Sequence, residues 1–299
     1  MSVVMALALA ACGSTSSGDD DANTGGTVDA PVGPQIDAGP IVDAGNCQPP
    51  DMMFVLDRTM SMHRRPDGTV PAANAAGFME SKWFIAITTI ETVVAALDAT
   101  VRFGLTLFPI DRGGVCVTLE ERITGTTATN VQCEEGEEVV PPNLNTSSDI
   151  ALALDPLTTR LCRSTPIGAG LGTALTELAA ISNPIREQFA TLITDGQDTC
   201  DEALSLSNTQ ALAAAGVNVY VIGFDASGTG VDGPHLNDLA CAGKTAPDHS
   251  TNCTDDGAGN FVAADATNGP TLYFDAGNAS QLETTLTDIA GQICCDCIE

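Results

Sequence analysis

At 299 residues, with 39 acidic side chains against 11 Lys and Arg, the chain carries a formal net charge of −28. Phosphate backbones would be repelled by such a surface, which argues against nucleic acid as a partner. Eleven cysteines point instead to an exported protein in an oxidising compartment, where disulfides persist.

Met1 to Ala11 are apolar and run into Leu9-Ala10-Ala11-Cys12, which resembles the lipobox that ends a bacterial lipoprotein signal. Cleavage before Cys12 and acylation of its thiol would anchor the chain to a bacterial membrane, facing periplasm or exterior. The usual basic n-region is missing, since no Lys or Arg precedes Arg58, and the alternatives are an ordinary secretory peptide or simply an apolar N-terminus. Residues 13–45 are Gly, Ser, Thr, Asp, Ala and Pro, with too few large apolar side chains to offset the entropy of ordering. They predict a disordered tether with a reach of roughly 30 Å. The rest, 46–299, suits one α/β domain of about 250 residues, and no other stretch approaches the roughly 20 apolar residues of a membrane span.

The apolar run before Asp57 predicts a buried strand, with Thr59 and Ser61 directly after it. From Ser81 to Asp98, Trp83, Ile87, Ile90, Val94 and Leu97 recur at helical spacing, with Ser81 as N-cap. Trp83 reads as a core anchor. A strand over Val101 to Phe108 ends at Pro109. Residues 111–149 then read as an irregular, acidic, turn-rich insertion, centred on Glu134 to Glu138.

A second helix opens at Thr165, with Pro166 in its first turn and a stripe of Ile167, Leu171, Leu175, Leu178 and Ile181. A threonine in this place is also a natural N-cap. Phe189 to Thr194 predict the strand before Asp195. Leu204 to Ala215 predict a helix and Val217 to Phe224 a strand. A short helix over His235 to Ala242, a strand over Thr271 to Phe274 and a helix over Ser280 to Ile293 complete the set. Strands alternating with helices imply a doubly wound, mostly parallel sheet flanked by helices, whose ligands sit at the carboxyl ends of its strands.

Two of three motifs lie at such ends. Asp57, Thr59 and Ser61 place a carboxylate and two hydroxyls after one strand, Thr165 opens a helix, and Asp195-Gly196 closes another strand. Hard oxygens so clustered point to a divalent cation. In residues and in order the chain resembles the von Willebrand factor type A domain with its metal-ion-dependent adhesion site, from about residue 50 to the C-terminus. Lys82-Trp83, Phe103-Gly104-Leu105 and Val221 to Phe224 extend the likeness. Thr59 stands where the family usually has Ser, keeping the ligating oxygen, and Met60 stands where Gly is frequent.

The resemblance implies that Asp57, Thr59, Ser61, Thr165 and Asp195 hold Mg2+, or Mn2+, and that the ion accepts a carboxylate from a protein partner in adhesion or assembly. His63, Arg64 and Arg65 either flank the site or form a solvated basic cluster. Asp255-Asp256-Gly257-Ala258-Gly259-Asn260 has the composition of a calcium loop but not the spacing of an EF-hand.

With Cys12 acylated, Cys47, Cys116, Cys133, Cys162, Cys200, Cys241, Cys253, Cys294, Cys295 and Cys297 remain, an even set that predicts disulfides. The ends of this kind of domain lie close together, so Cys47 is expected to join one of the last three, while Cys116 and Cys133 brace the insertion between them. No spaced Cys or His pattern supports a zinc site at the C-terminal cluster. Two other functions compete with adhesion. One is a structural envelope lipoprotein with a vestigial metal site. The other is a haloacid-dehalogenase-like phosphohydrolase with Asp57 as nucleophile, although the second Asp such enzymes need is here Thr59.

Overall fold

A computed structural model describes residues 48–295, apart from 113–115, 119–120, 123–124, 129–132, 157 and 227–229. Strand β1, Asp51–Asp57, is buried along its whole length and lies at the centre of a six-stranded sheet. On one side it pairs in parallel with β2, Arg102–Phe108, which pairs in turn with antiparallel β4, Glu137–Asn143. On the other side come parallel β6, Gln188–Thr194, then β7, Val217–Gly223, and the two-residue β10, Phe274–Asp275. The parallel, doubly wound architecture is therefore as expected.

Alternation along β1 assigns the two layers of core. Met52, Phe54 and Leu56 face α2, Lys82–Leu97, and the last helix, α8, Ala279–Cys295, where Trp83, Ile87, Ile90, Leu282 and Leu286 are buried. Met53 and Val55 face α4, Ile167–Ala180, α5, Glu202–Ala214, and α6, Gly233–Ala242, through Leu171, Leu178, Leu212 and Leu236. Ser81 caps α2 by accepting the Phe84 N–H at 3.2 Å, as its position predicts.

The insertion is more ordered than its composition suggests. Residues read as irregular contain the edge strand β4 and the start of α3, Ser147–Ala153, while β3, Val117–Thr118, pairs with β5, Arg160–Leu161. Pro141 and Pro142 disguise β4, yet it is an edge strand and its pairing with β2 is irregular between Val140 and Asn143, where ladder N–H groups are not needed. Short helices α1, Ala75–Phe78, and α7, His249–Asn252, and the hairpin of β8, Cys253–Asp255, with β9, Phe261–Ala263, also had no periodic signal. Among the described residues no helix is long and apolar enough to cross a membrane.

Cysteine pairing corrects one expectation. Cys116 and Cys133 do not brace the insertion by themselves. Cys116 joins Cys162, Cys133 joins Cys200, and Cys241 joins Cys253. The signal, the tether, Cys12, Cys47 and Cys297 lie outside the described residues, so the expected link from Cys47 to the C-terminus does too.

Candidate metal site

The site is built where three central strands end. At the end of β1, Asp57 is fully buried, and one carboxylate oxygen accepts the Thr59 N–H at 2.7 Å, fixing the turn. Its other oxygen accepts the Thr194 hydroxyl at 2.8 Å from the end of neighbouring β6. A single turn of 3-10 helix, Met60–His63, then brings the Ser61 hydroxyl to 2.7 Å from that of Thr59. Ser61 donates to Asp195 Oδ1, also at 2.7 Å. Residues 57, 59, 61 and 195 thus form one contiguous cluster of oxygens, as their places in the sequence predict.

Thr165 approaches from across a cleft. It does not cap α4. Pro166 occupies the N-cap position without a side-chain cap bond, which leaves the Thr165 hydroxyl free of that duty. The loop is instead held through backbone, with the Thr165 N–H donating to the Thr199 hydroxyl at 2.7 Å and the Thr199 N–H to the Thr165 carbonyl at 3.2 Å. A Cβ on Gly196 would lie 3.5 Å from Thr165 Oγ1 and 3.8 Å from Ser61 Oγ, so the glycine borders the space between these hydroxyls. Thr59, Ser61 and Thr165 line one cleft of about 370 Å³, together with Met60, Cys162, Arg163, Ser164 and Thr199.

Charge explains why this cluster is not ordinary core. Asp57, Asp195 and Asp225 are 0%, 1% and 4% exposed, and the buried cation beside them, Lys82, is 2% exposed. Lys82 Nζ lies 2.5 Å from Asp195 Oδ2 and 3.6 Å from Asp225 Oδ1. Burial, reinforced by the charge of Asp195, pushes the Asp57 carboxyl up to about 7 against the bonds from Thr194 and Thr59. Burial also raises Asp195, while Lys82 and Ser61 oppose it. Ionising both Asp57 and Asp195 in this dry setting is costly, with the Lys82 ammonium bonded to Asp195, and a further cation entering beside them would favour their ionised forms. The donors are hard oxygens, so the residues present fit a magnesium-like ion.

The sequence profile of the von Willebrand factor type A domain matches residues 51–263. The chain belongs to this family. Among solved structures, this type A domain is similar to the PilB minor pilin from Streptococcus sanguinis, at 15% identity and a TM-score of 0.54 over 83% of this chain and 62% of that one. It is also similar to proximal thread matrix protein 1 from the mussel byssus, at 17% identity and a TM-score of 0.51 over 83% of this chain and 49% of that one. A form of the byssus protein with a zinc-occupied MIDAS motif matches at 16% identity and a TM-score of 0.50, over 85% and 47% of the two chains. Identities this low show the shared fold alone, and the chain spans about half to three fifths of those proteins' length. No curated protein matches it.

Two residues of this type A domain were not read as part of the site in the sequence, although Lys82 was named in the family likeness. Lys82 looked like the first residue of an apolar helix, and Asp225 carried no motif. A signal for Asp225 existed, because it follows β7 much as Asp57 and Asp195 end or follow β1 and β6.

Met60, in place of the frequent Gly, also acquires a reason, for its sulfur accepts the Ala128 N–H at 3.2 Å from the insertion. Arg58 reaches the Pro109 carbonyl at 2.7 Å and Glu137 at 2.5 Å. Both insertion disulfides end on loops of the site, Cys162 three residues before Thr165 and Cys200 five after Asp195. The insertion is thus fastened to the same end of the sheet as the oxygen cluster.

The remaining candidates do not join the cleft. His63 is buried and stacks on Phe78, and burial, with Arg122, lowers its pKa. Arg64 donates to the Gly68 carbonyl, and Arg65 pairs with Glu80. Asp255 and Asp256 are spent on their own hairpin turn, accepting the N–H groups of Gly257, Ala258 and Gly259 at 2.7 to 2.9 Å. Among the described residues no group of three His, Cys, Asp or Glu side chains converges as a metal-ligating set. The cluster at β1 is built half of hydroxyls.

Proposed function

We propose that this type A domain is a binding module of the bacterial cell envelope. It holds Mg2+ or Mn2+ with Asp57, Thr59, Ser61, Thr165 and Asp195, and through the ion takes a carboxylate from a protein partner in adhesion or assembly. The observation that carries the reading is the pair of buried carboxylates, Asp57 and Asp195, bonded to hydroxyls that line one cleft. When bound, the ion supplies a local positive field on a domain that otherwise repels acidic ligands. The chain's own residues do the positioning. Thr59 N–H and Thr194 fix Asp57, while Ser61 and Lys82 fix Asp195.

A phosphohydrolase reading has no such support. Both oxygens of Asp57 are engaged and its side chain is wholly buried, whereas a nucleophile must reach its substrate. The proposed envelope location rests on the Cys12 lipobox, with 13–45 as the spacer. Cys12→Ser should shift the protein from the membrane to the soluble fraction, and a wild-type protein already soluble would remove the anchor.

Calorimetric titration of Mg2+ and Mn2+ into the protein with its disulfides formed, beside Asp57→Ala, tests the site. Binding by the wild type alone is expected. Absence of binding by the wild type, or binding that survives Asp57→Ala, would overturn the cation reading and leave a structural envelope protein.

A further inference from the structure

The cleft contains one feature that the cation does not use. Arg163 lines it beside Thr59, Ser61 and Thr165, and its side chain is exposed. Six of the nine arginines, Arg58, Arg65, Arg102, Arg112, Arg160 and Arg186, each pair with an Asp or Glu, while Arg64 donates to the Gly68 carbonyl and Arg122 lies near His63, both away from the cleft. Arg163 makes no ion pair among the described residues.

Its backbone is not that of a free loop. Cys162 on one side is cross-linked to Cys116, donates its N–H to the Arg58 carbonyl at 2.9 Å and accepts the Met60 N–H at 2.8 Å. Thr165 on the other side is tied to Thr199 in both directions. Between them Ser164 holds φ at 79°, a left-handed conformation that residues other than Gly rarely adopt. A strained residue fixed at both ends, with an unpaired guanidinium beside it and a cation site across the cleft, is a preorganised anion grip.

We infer that the cleft recognises two acidic groups at once: an acidic peptide segment of a protein partner, with one carboxylate on the cation and a neighbouring carboxylate on Arg163. The inference rests on the cation reading above and names the partner chemistry of the same site. Arg163 is the specificity residue, because a cation alone accepts any lone carboxylate, whereas the guanidinium fork rewards a second one.

The test uses two fluorescein-labelled peptides, Gly-Ser-Asp-Ser-Gly and Gly-Ser-Asp-Asp-Gly. Their anisotropy is read with the protein in Mn2+ and in chelator, for the wild type, Arg163→Gln and Arg163→Lys. A second equivalent carboxylate gives about a twofold gain by statistics alone. The wild type in Mn2+ is expected to prefer the diacidic peptide by about tenfold, the scale of one charge-assisted bond. Arg163→Gln should reduce that preference to twofold with the calorimetric Mn2+ affinity unchanged, and Arg163→Lys should keep part of it. A preference that survives Arg163→Gln, a wild type with none, a preference that persists in chelator, or failure of both peptides to bind would overturn the inference. Loss of Mn2+ binding itself is read separately by calorimetry, and it would bring down the cation reading rather than Arg163 alone.

Discussion

Two sets of aspartates in this domain sit in opposite electrostatic settings. At 255–260 the carboxylates sit on an exposed hairpin, saturated by N–H groups of their own turn, and the bonds from Asn260 and Ala258 lower Asp256. Asp57 and Asp195 sit at buried strand ends with few donors, so burial raises both. A cluster of aspartates is therefore not a cation site by composition. What differs is the setting, because parallel strand ends bring carboxylates together where water is scarce.

The largest effect that would break this contrast comes from Lys82, the internal cation of the buried cluster. Lys82→Met leaves Asp195 and Asp225 without it, and stripping one partner from a buried pair costs about 3–5 kcal/mol. Urea denaturation of the metal-free protein should show that loss, and saturating Mg2+ should restore a large part of it. Equal loss with and without Mg2+ would mean that the ion does not share the carboxylates.

Next in size is pH. Asp57 binds its proton more tightly folded than unfolded, with its carboxyl raised from 3.8 to about 7. Its contribution to stability is complete below about pH 4 and is lost as pH rises through about 7. Asp195, also raised, acts in the same direction. The exposed Asp67 and Asp256 are lowered and lose their contributions only as pH falls below about 4, outside that window. Between pH 4 and 7 the metal-free protein should therefore lose on the order of 2–4 kcal/mol at this site. In Mg2+ the loss should shrink, because the ion stabilises the ionised form. Denaturant midpoints across that range decide it.

The sharpest contrast in binding is between the loops themselves. Asp57→Ala should weaken Mg2+ binding by about 100-fold or more, whereas Asp256→Asn should leave it within twofold, both by calorimetry. An equal loss from both would show that the hairpin turn also binds the ion.

How much of this could be read in the sequence follows from which signals are local. The strand before Asp57, the stripe from Trp83 to Leu97 and the Ser81 cap are matters of periodicity and neighbouring residues, and each lies where the sequence places it. Asp57, Thr59, Ser61 and Asp195 were legible because a motif fixes their order and strand ends fix their place. Thr165 was legible as a residue but not in its local role, since whether a threonine caps a helix depends on where Pro166 falls in the first turn. Lys82 and Asp225 were hidden because their significance is a meeting across 143 residues of chain. Cysteine pairing was hidden for the same reason, as Cys133 and Cys200 are 67 positions apart. Strand β4 was obscured by its two prolines, which an edge position and an irregular register permit.

The place of β1 in the sheet bears on mechanical load. The chain enters β1 at Asp51 and the cleft lies beyond its other end at Asp57, so a ligand pulling against the N-terminal side applies force along the axis of this one strand. Parallel neighbours flank it, with seven aligned residue pairs to β2 and six to β6. Tension in that direction must shear both ladders together instead of opening them bond by bond from an edge.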